Sequence, residues 1–331
     1  MNDTKVFVPP LRPQRGACAR TAARTWAGGL ALAVLAIAPL ALRDPFYLHL
    51  AIMVCINTIT VSGLSLLARA GQLSLCHGAF VGVGAYMAVL AVMGLGLPFP
   101  VGVLAAMATA GLTAWLLGAI MLRLTGVYFV LVTFAFGELV RLVLLEWADI
   151  TGGANGIPDI VPARLFGVDL NEKYAFYGLA LTAVAIVLML LHALYRSPAG
   201  HAIDSVGENA KLAEASGISV RGTQLFAFTL ASALAGLGGA LTAHYQGFIS
   251  PESFNMHLSV TLIIIMVVGG RKALLGPLIG ALVMTPLPEL FRGAVESQNI
   301  FYGVALILML RFLPGGLASL AGRANKAGER P

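Results

Sequence analysis

Charge is scarce in this chain. Of its 331 residues only 11% are charged, against 58% hydrophobic. Such a composition excludes a water-solvated globular surface. Its net charge of +6 is spread over short loops, so it points to topology and anionic lipid headgroups and not to nucleic acid. Cysteine is nearly absent too. Cys18, Cys55 and Cys76 are scattered without metal-ligand spacing and read as isolated thiols. Enzyme signatures are missing: there is no Gly-x-x-x-x-Gly-Lys-Ser/Thr phosphate loop, no His-Glu-x-x-His and no Gly-x-Ser-x-Gly. The chain therefore does not hold ATP in the P-loop manner. An intramembrane hydrolase built on Glu138, His244 or Glu289 would need a denser polar cluster, and a channel would need rings of charge along a pore.

What fills the chain is apolar runs long enough to cross a bilayer, whose core of about 30 Å takes roughly 17–25 residues of helix. The candidates fall near 26–42, 46–67, 73–93, 99–121, 126–146, 174–195, 223–246, 257–270, 273–291 and 299–313. The expected fold is an all-α polytopic bundle of about ten transmembrane helices. It divides into a basic leader (1–25), a membrane domain (26–317) and a tail (318–331). The run 257–270 is short, and 273–291 is interrupted by Pro277, Pro286 and Pro288, so these two are either full spans or a broken re-entrant pair.

Basic residues in short loops orient such a bundle. Lys5, Arg12, Arg15, Arg20 and Arg24 place the leader in the cytoplasm. With ten spans, Arg69, Arg123, the 196–222 loop, Arg271, Lys272 and the tail follow it there, so both termini are cytoplasmic. The opposite loops 94–98 and 147–173 are poor in base. Trp26–Leu42 with Ala36-Ile37-Ala38 superficially fits a cleaved signal. Pro39 is a poor cleavage context, however, and the length favours a retained helix.

The polar loop Arg196–Gly222 stands out between two apolar runs. Asn209 is a fair N-cap, Ala210 to Glu214 are helix formers or neutral, and Gly217 is a plausible stop. A short helix exposed on the cytoplasmic side is a natural docking element for a soluble partner, which suggests a transporter subunit driven from outside itself.

Within the spans, Glu138 and Arg141 lie three residues apart on one helix face. They are expected to pair and to face the bundle interior, either as a structural lock or lining a solute path. Asn57, Gln72 and His77, with neighbouring hydroxyls, read first as interhelical hydrogen-bonding groups and second as path residues. Gly78, Gly82 and Gly84, like Gly236, Gly238 and Gly239, read as close helix contacts. On the opposite side Thr151, Gly152, Gly153, Asn155 and Gly156 form a turn that either needs positive φ or meets a delivered solute or an external partner.

The ordered set GLSLLARAGQLSLCHGAFVGVGAY, LRLTGVYFVLVTFAFGELVRLVL, TGGANGI, SPAGHAIDSVGENAKLAEASGISV, FAFTLASALAGLGGAL, FISPESF, VVGGRKALLGPLIGA and LPGGL resembles the permeases of branched-chain amino-acid ABC transporters, of the LivM type. The resemblance runs from about Ser62 to Leu317. It implies a subunit of the bacterial inner membrane, not itself an enzyme and carrying no cofactor. Its partners would be a second permease of the LivH type, two cytoplasmic ATPases that bind the ATP, an external solute-binding protein and membrane lipids. It also implies that Gly207, Glu208, Asn209, Ala210, Glu214, Ala215 and Gly217 form the ATPase-contacting loop. Two departures stand out: His201 where the family usually shows Arg, and Arg271-Lys272-Ala273 in place of a more neutral linker. Relatives of the family carry urea, short amides or aromatic acids. A secondary transporter would instead need acidic residues at broken helices to bind its coupling ion, and Glu138 alone is placed for that.

Overall fold

A computed structural model of the chain describes residues 44–290, apart from 125, 166 and 167, together with the isolated positions 303 and 317. The expected leader, the span 26–42, all but position 303 of the span 299–313, and the tail lie outside the described residues. Seven helices among the described residues are long and apolar enough to cross a membrane, so the chain is a multi-pass helical membrane protein.

The first, α1 (Pro45–Arg69), starts where the Asp44 carboxylate accepts from the Phe46 amide at 2.8 Å with Pro45 in the first turn. It is almost wholly buried. The next, α2 (His77–Val89), ends in a π-helical turn over Leu90–Gly94. Then follow α3 (Phe99–Met121), entered through Pro98, and α4 (Val127–Glu146). A one-turn helix, α5 (Ala148–Thr151), leads to a loop containing a hairpin of β1 (Arg164–Leu165) and β2 (Val168–Asp169). This hairpin is a small departure from the all-α expectation, confined to the connection before α6 (Lys173–Arg196).

Two short helices, α7 (Pro198–Glu208) and α8 (Ala210–Ala215), precede the long α9 (Val220–Gln246). A 3-10 turn, Pro251–Phe254, leads into α10 (Met256–Gly269), and α11 (Gly276–Met284) and α12 (Pro286–Leu290) close the described part. The run expected at 273–291 is therefore broken. Pro286 has no N–H to continue the ladder, and the nine residues of α11 rise only about 14 Å at 1.5 Å per residue.

The bundle is built round α9. Lipid tails are as apolar as leucine, so helices in a membrane associate by close packing and not by hydrophobic exclusion. Gly236, Gly238 and Gly239 project in different directions from α9 at 100° per residue, and each receives a different helix. A Cβ on Gly236 would lie 2.6 Å from the Ala106 carbonyl of α3; one on Gly238 would overlap the Thr60 hydroxyl of α1, and one on Gly239 the Val81 carbonyl of α2. Phe228 on the same helix stacks edge-on with Phe80 of α2, at 5.6 Å between ring centroids.

The start of α2 differs from expectation. The sequence pattern places a helix from residue 73, but His77 begins it. The preceding stretch is non-helical backbone in which Gln72, Ser74 and Cys76 are buried while Leu73 is exposed, and it is satisfied in part from outside itself. The Leu75 amide donates to Thr133 Oγ1 of α4 at 3.2 Å, the Cys76 amide to Ser74 Oγ at 3.3 Å, and the Gly78 amide to Ser259 Oγ of α10 at 2.9 Å. This is the condition under which irregular backbone is tolerated at membrane depth.

The two ends of the bundle separate by charge. One end gathers Arg69, the α6–α9 connection, Arg271 and Lys272: Arg69 pairs with Asp204, Lys272 pairs with Glu208, and Ser65 Oγ donates to the Arg271 carbonyl at 2.8 Å. The other end gathers the 147–172 and 247–255 segments, joined by the Ile157–Ile249 bridge and by His244 Nδ1 at 3.0 Å from the Val161 carbonyl.

Gly239→Ala is expected to destabilise the bundle by about 1–3 kcal/mol, the usual range for overpacking. The check is the melting temperature of the detergent-extracted chain. Gly178→Ala on α6, where an added Cβ meets nothing within 4 Å, should melt no lower than the wild type. Equal melting of the two variants would overturn the central role given to α9.

Candidate functional site

The α7–α8 segment occupies the basic end. Ser197 caps α7, its hydroxyl oxygen accepting from the Gly200 amide at 3.3 Å, with Pro198 at the first helical position. The sequence reading anticipated a polar loop here, yet α7 is an amphipathic helix. It buries Gly200, Ile203 and Val206 against the bundle, a spacing of three residues that places them on one side.

Asp204, on a different side of α7, receives a two-pronged ion pair from Arg69 at the end of α1: Nε to Oδ1 at 2.8 Å and Nη2 to Oδ2 at 3.0 Å. The Arg69 side chain is only 14% exposed and Asp204 38%. The same guanidinium lies 3.8 Å above the Tyr195 ring, so one cation holds α1, α6 and α7 together. Gly207 completes the joint, because a Cβ there would overlap the Arg69 carbonyl oxygen.

The helix predicted after Asn209 is present. Asn209 Oδ1 accepts from the Leu212 amide at 3.1 Å, and α8 begins at Ala210. It ends at Gly217, with φ +84°, where the Ile218 amide returns to the Ala213 carbonyl at 3.0 Å. Ala213 faces the bundle, while Glu208, Asn209, Lys211, Glu214, Ala215 and Gly217 are exposed. Leu212 stands among them 65% exposed. Its helical spacing gives no hint of this; the signal is an aliphatic side chain in a stretch, 208–217, that is otherwise polar or small. Arg69 and Tyr195 were also missed, because nothing in their own segments marks them as the anchor of the loop. Glu208 reaches Lys272 of the α10–α11 turn at 3.2 Å, with both side chains well exposed, so this pair contributes little on its own.

The intramembrane candidates lie elsewhere. His77 is buried, with Nε2 3.0 Å from the Thr60 carbonyl, the arrangement of a core histidine. Gln72 is buried in the non-helical stretch before α2. Asn57 Nδ2 donates to Thr285 Oγ1 at 3.0 Å, tying α1 to the break between α11 and α12. Glu138 and Arg141 do pair, Nε to Oε2 at 2.9 Å, but Arg141 also reaches Glu252 at 2.7 Å. The expectation that they face the bundle interior is corrected in part. Both are partly exposed, Arg141 lies five residues from the end of α4, and the third partner comes from the 3-10 turn at the end opposite Arg69. Glu252, 62% exposed, was not singled out because it sits more than a hundred residues away in a loop.

At that same end the Thr151–Gly156 turn is held by Thr151 Oγ1, which donates to the Leu144 carbonyl at 2.6 Å and accepts from the Gly153 amide at 3.2 Å. Gly152, Gly153 and Gly156 all have positive φ, so the turn requires glycine whatever else it does. Asn155 is exposed. The bridge from Ile157 to Ile249 sets this turn against the 247–253 loop. The structure thus keeps the three groups apart, at one end, within the bundle and at the other end.

The chain matches the family described as "Branched-chain amino acid transport system / permease component" over residues 46–313. It is 33% identical over 312 residues to the high-affinity branched-chain amino acid transport system permease protein LivM of Escherichia coli K12, covering 87% of this chain and 73% of that one. The LivM protein of Salmonella typhimurium LT2 is 32% identical over the same shares. The autoinducer 2 import system permease protein LsrC of Klebsiella pneumoniae is 30% identical over 57% of this chain and 56% of its own. No solved structure matches.

Asp204→Ala should release α7 from α1. Each hydrogen bond to a charged group contributes about 1.5–3 kcal/mol, so trypsin is expected to cut at Lys211 several-fold faster in the variant than in the wild type. Cleavage at an unchanged rate would show that Gly207 and the buried side of α7 suffice without the ion pair.

Proposed function

This chain belongs to the family of branched-chain amino acid transport permeases, and from that premise we propose that it is the membrane-spanning permease subunit of an ATP-driven importer for branched-chain amino acids. Permeases of this kind conduct solute and are not enzymes. The observation that carries the reading is the docking element: a capped, exposed helix α8 with Leu212 ringed by polar side chains, bolted through Arg69, Asp204 and Gly207 to the membrane helices. An exposed aliphatic side chain inside a polar rim is the form a docking surface takes.

In this reading the basic end faces the cytoplasm, in accord with the positive-inside rule. The chain then has about ten spans with both termini inside, in the bacterial inner membrane. ATP is bound by two partner ATPases and not by this chain. A second permease of the LivH type completes the membrane part, and an external binding protein delivers solute near the 151–156 and 247–253 loops. Closure of the ATPases pushes on α8, and the push passes through α7 to α1 and α6. Coupling of this kind requires an element with two arrangements that both ends bias, and the joint at Arg69 is where such a bias would enter.

The experiment is a mild-detergent pull-down of the tagged chain from its native membrane, paired with uptake measurements. The wild type is expected to bring down an ATPase and a second permease. Leu212→Asp should lose the ATPase and at least about tenfold of ATP-dependent uptake, the scale of losing a hot-spot contact, while its melting temperature stays unchanged. Normal uptake by a folded Leu212→Asp chain would sink the docking assignment.

A further inference from the structure

The bundle holds a cavity among its helices. It lies between α1, α9 and α10 and has a volume of about 170 Å³. Its lining runs from Asn57, at the middle of α1, to Gln246, the last residue of α9, so it extends from mid-depth towards the outer end. One part is polar, with Asn57, Thr242 and Gln246; another is aliphatic, with Ile56, Leu258 and Leu262. No ionisable side chain lines it.

The polar groups are already oriented. Asn57 directs one amide N–H to Thr285 Oγ1 at 3.0 Å, and an asparagine side chain has a second N–H and a carbonyl besides. The Thr242 hydroxyl donates to the Gly238 carbonyl at 2.8 Å within its own helix, which leaves its oxygen as an acceptor. The lining thus offers neutral donors and acceptors together with branched aliphatic surface. A dry cavity of about 150 Å³ takes a benzene-sized guest, so this one has room for a solute of similar or slightly larger size.

We propose that this cavity is a solute site within the permease itself, and that it takes a small zwitterionic amino acid with an aliphatic side chain. The proposal rests on the importer reading and deepens it. The carboxylate accepts from the side-chain amides of Asn57 and Gln246, the ammonium donates to the Thr242 oxygen, and the side chain lies against Ile56, Leu258 and Leu262. A solute with a net charge finds no counter-ion here and is rejected by the desolvation it would suffer. A small polar solute such as urea would leave the aliphatic side unfilled.

The test uses the complex purified from its native membrane into lipid nanodiscs, with Cys18→Ser to remove the one cysteine outside the described residues; Cys55 and Cys76 are buried. Asn57→Cys is introduced, and separately Thr242→Cys in case the first fails to fold. Labelling by a small neutral methanethiosulfonate is timed with leucine, lysine, urea or no solute. Leucine is expected to slow labelling several-fold at either position, with lysine and urea without effect. Absence of labelling at both positions, no protection by leucine, or equal protection by lysine or urea would each overturn the site. Recovery of the ATPase in the same preparation reports on the importer reading separately: leucine protection without an ATPase would keep the cavity and sink the importer.

Discussion

Everything in this bundle depends on how closely helices approach α9. In water a core gathers because apolar surface leaves solvent; between lipid tails that force is absent, and contact between backbones takes its place. Gly236, Gly238 and Gly239 give α9 three bare faces within about one turn, and α3, α1 and α2 each occupy one. The position of α1 then sets the Asn57–Thr285 bond and the Arg69 joint, and the position of α2 sets where the buried stretch before it must find its hydrogen bonds. The candidate docking element and the cavity therefore both inherit their geometry from the same three residues.

The sequence was a good guide to what repeats and a poor one to what meets across distance. Apolar runs of membrane length located the helices within a few residues, 99–121 to the residue. Local capping chemistry was equally legible: Asn209 and Gly217 bound α8 as their side-chain oxygen and positive φ require. The failures share one cause. The unwound stretch before α2 is apolar enough to read as helix, and only its partners Thr133 and Ser259 make another conformation tolerable. Arg69 with Asp204 and Arg141 with Glu252 join residues more than a hundred positions apart, which no periodicity announces. Leu212 was passed over because an apolar residue in an apolar chain attracts no notice until its exposure is known.

The two charged joints differ in kind. The Arg69–Asp204 pair is two-pronged, with its cation shielded and stacked on Tyr195, so it holds its geometry. The Lys272–Glu208 pair is exposed. The first fixes α7 to the ends of two long helices; the second is a weak additional contact to the α10–α11 turn.

The attachment of α7 has a mechanical consequence. A slack connection between membrane helices would take up an applied displacement as its own bending, and little would reach the far side of the bilayer. Here the Arg69 side chain, the Gly207 backbone and the buried flank of α7 tie that connection to the membrane helices at three points. In the proposed coupling, a displacement at α8 would reach the foot of α1 through these contacts, and α1 carries Asn57 halfway up its length. In that proposed coupling, the joint and not the docking surface alone would set how far a small movement outside the membrane is felt at its centre.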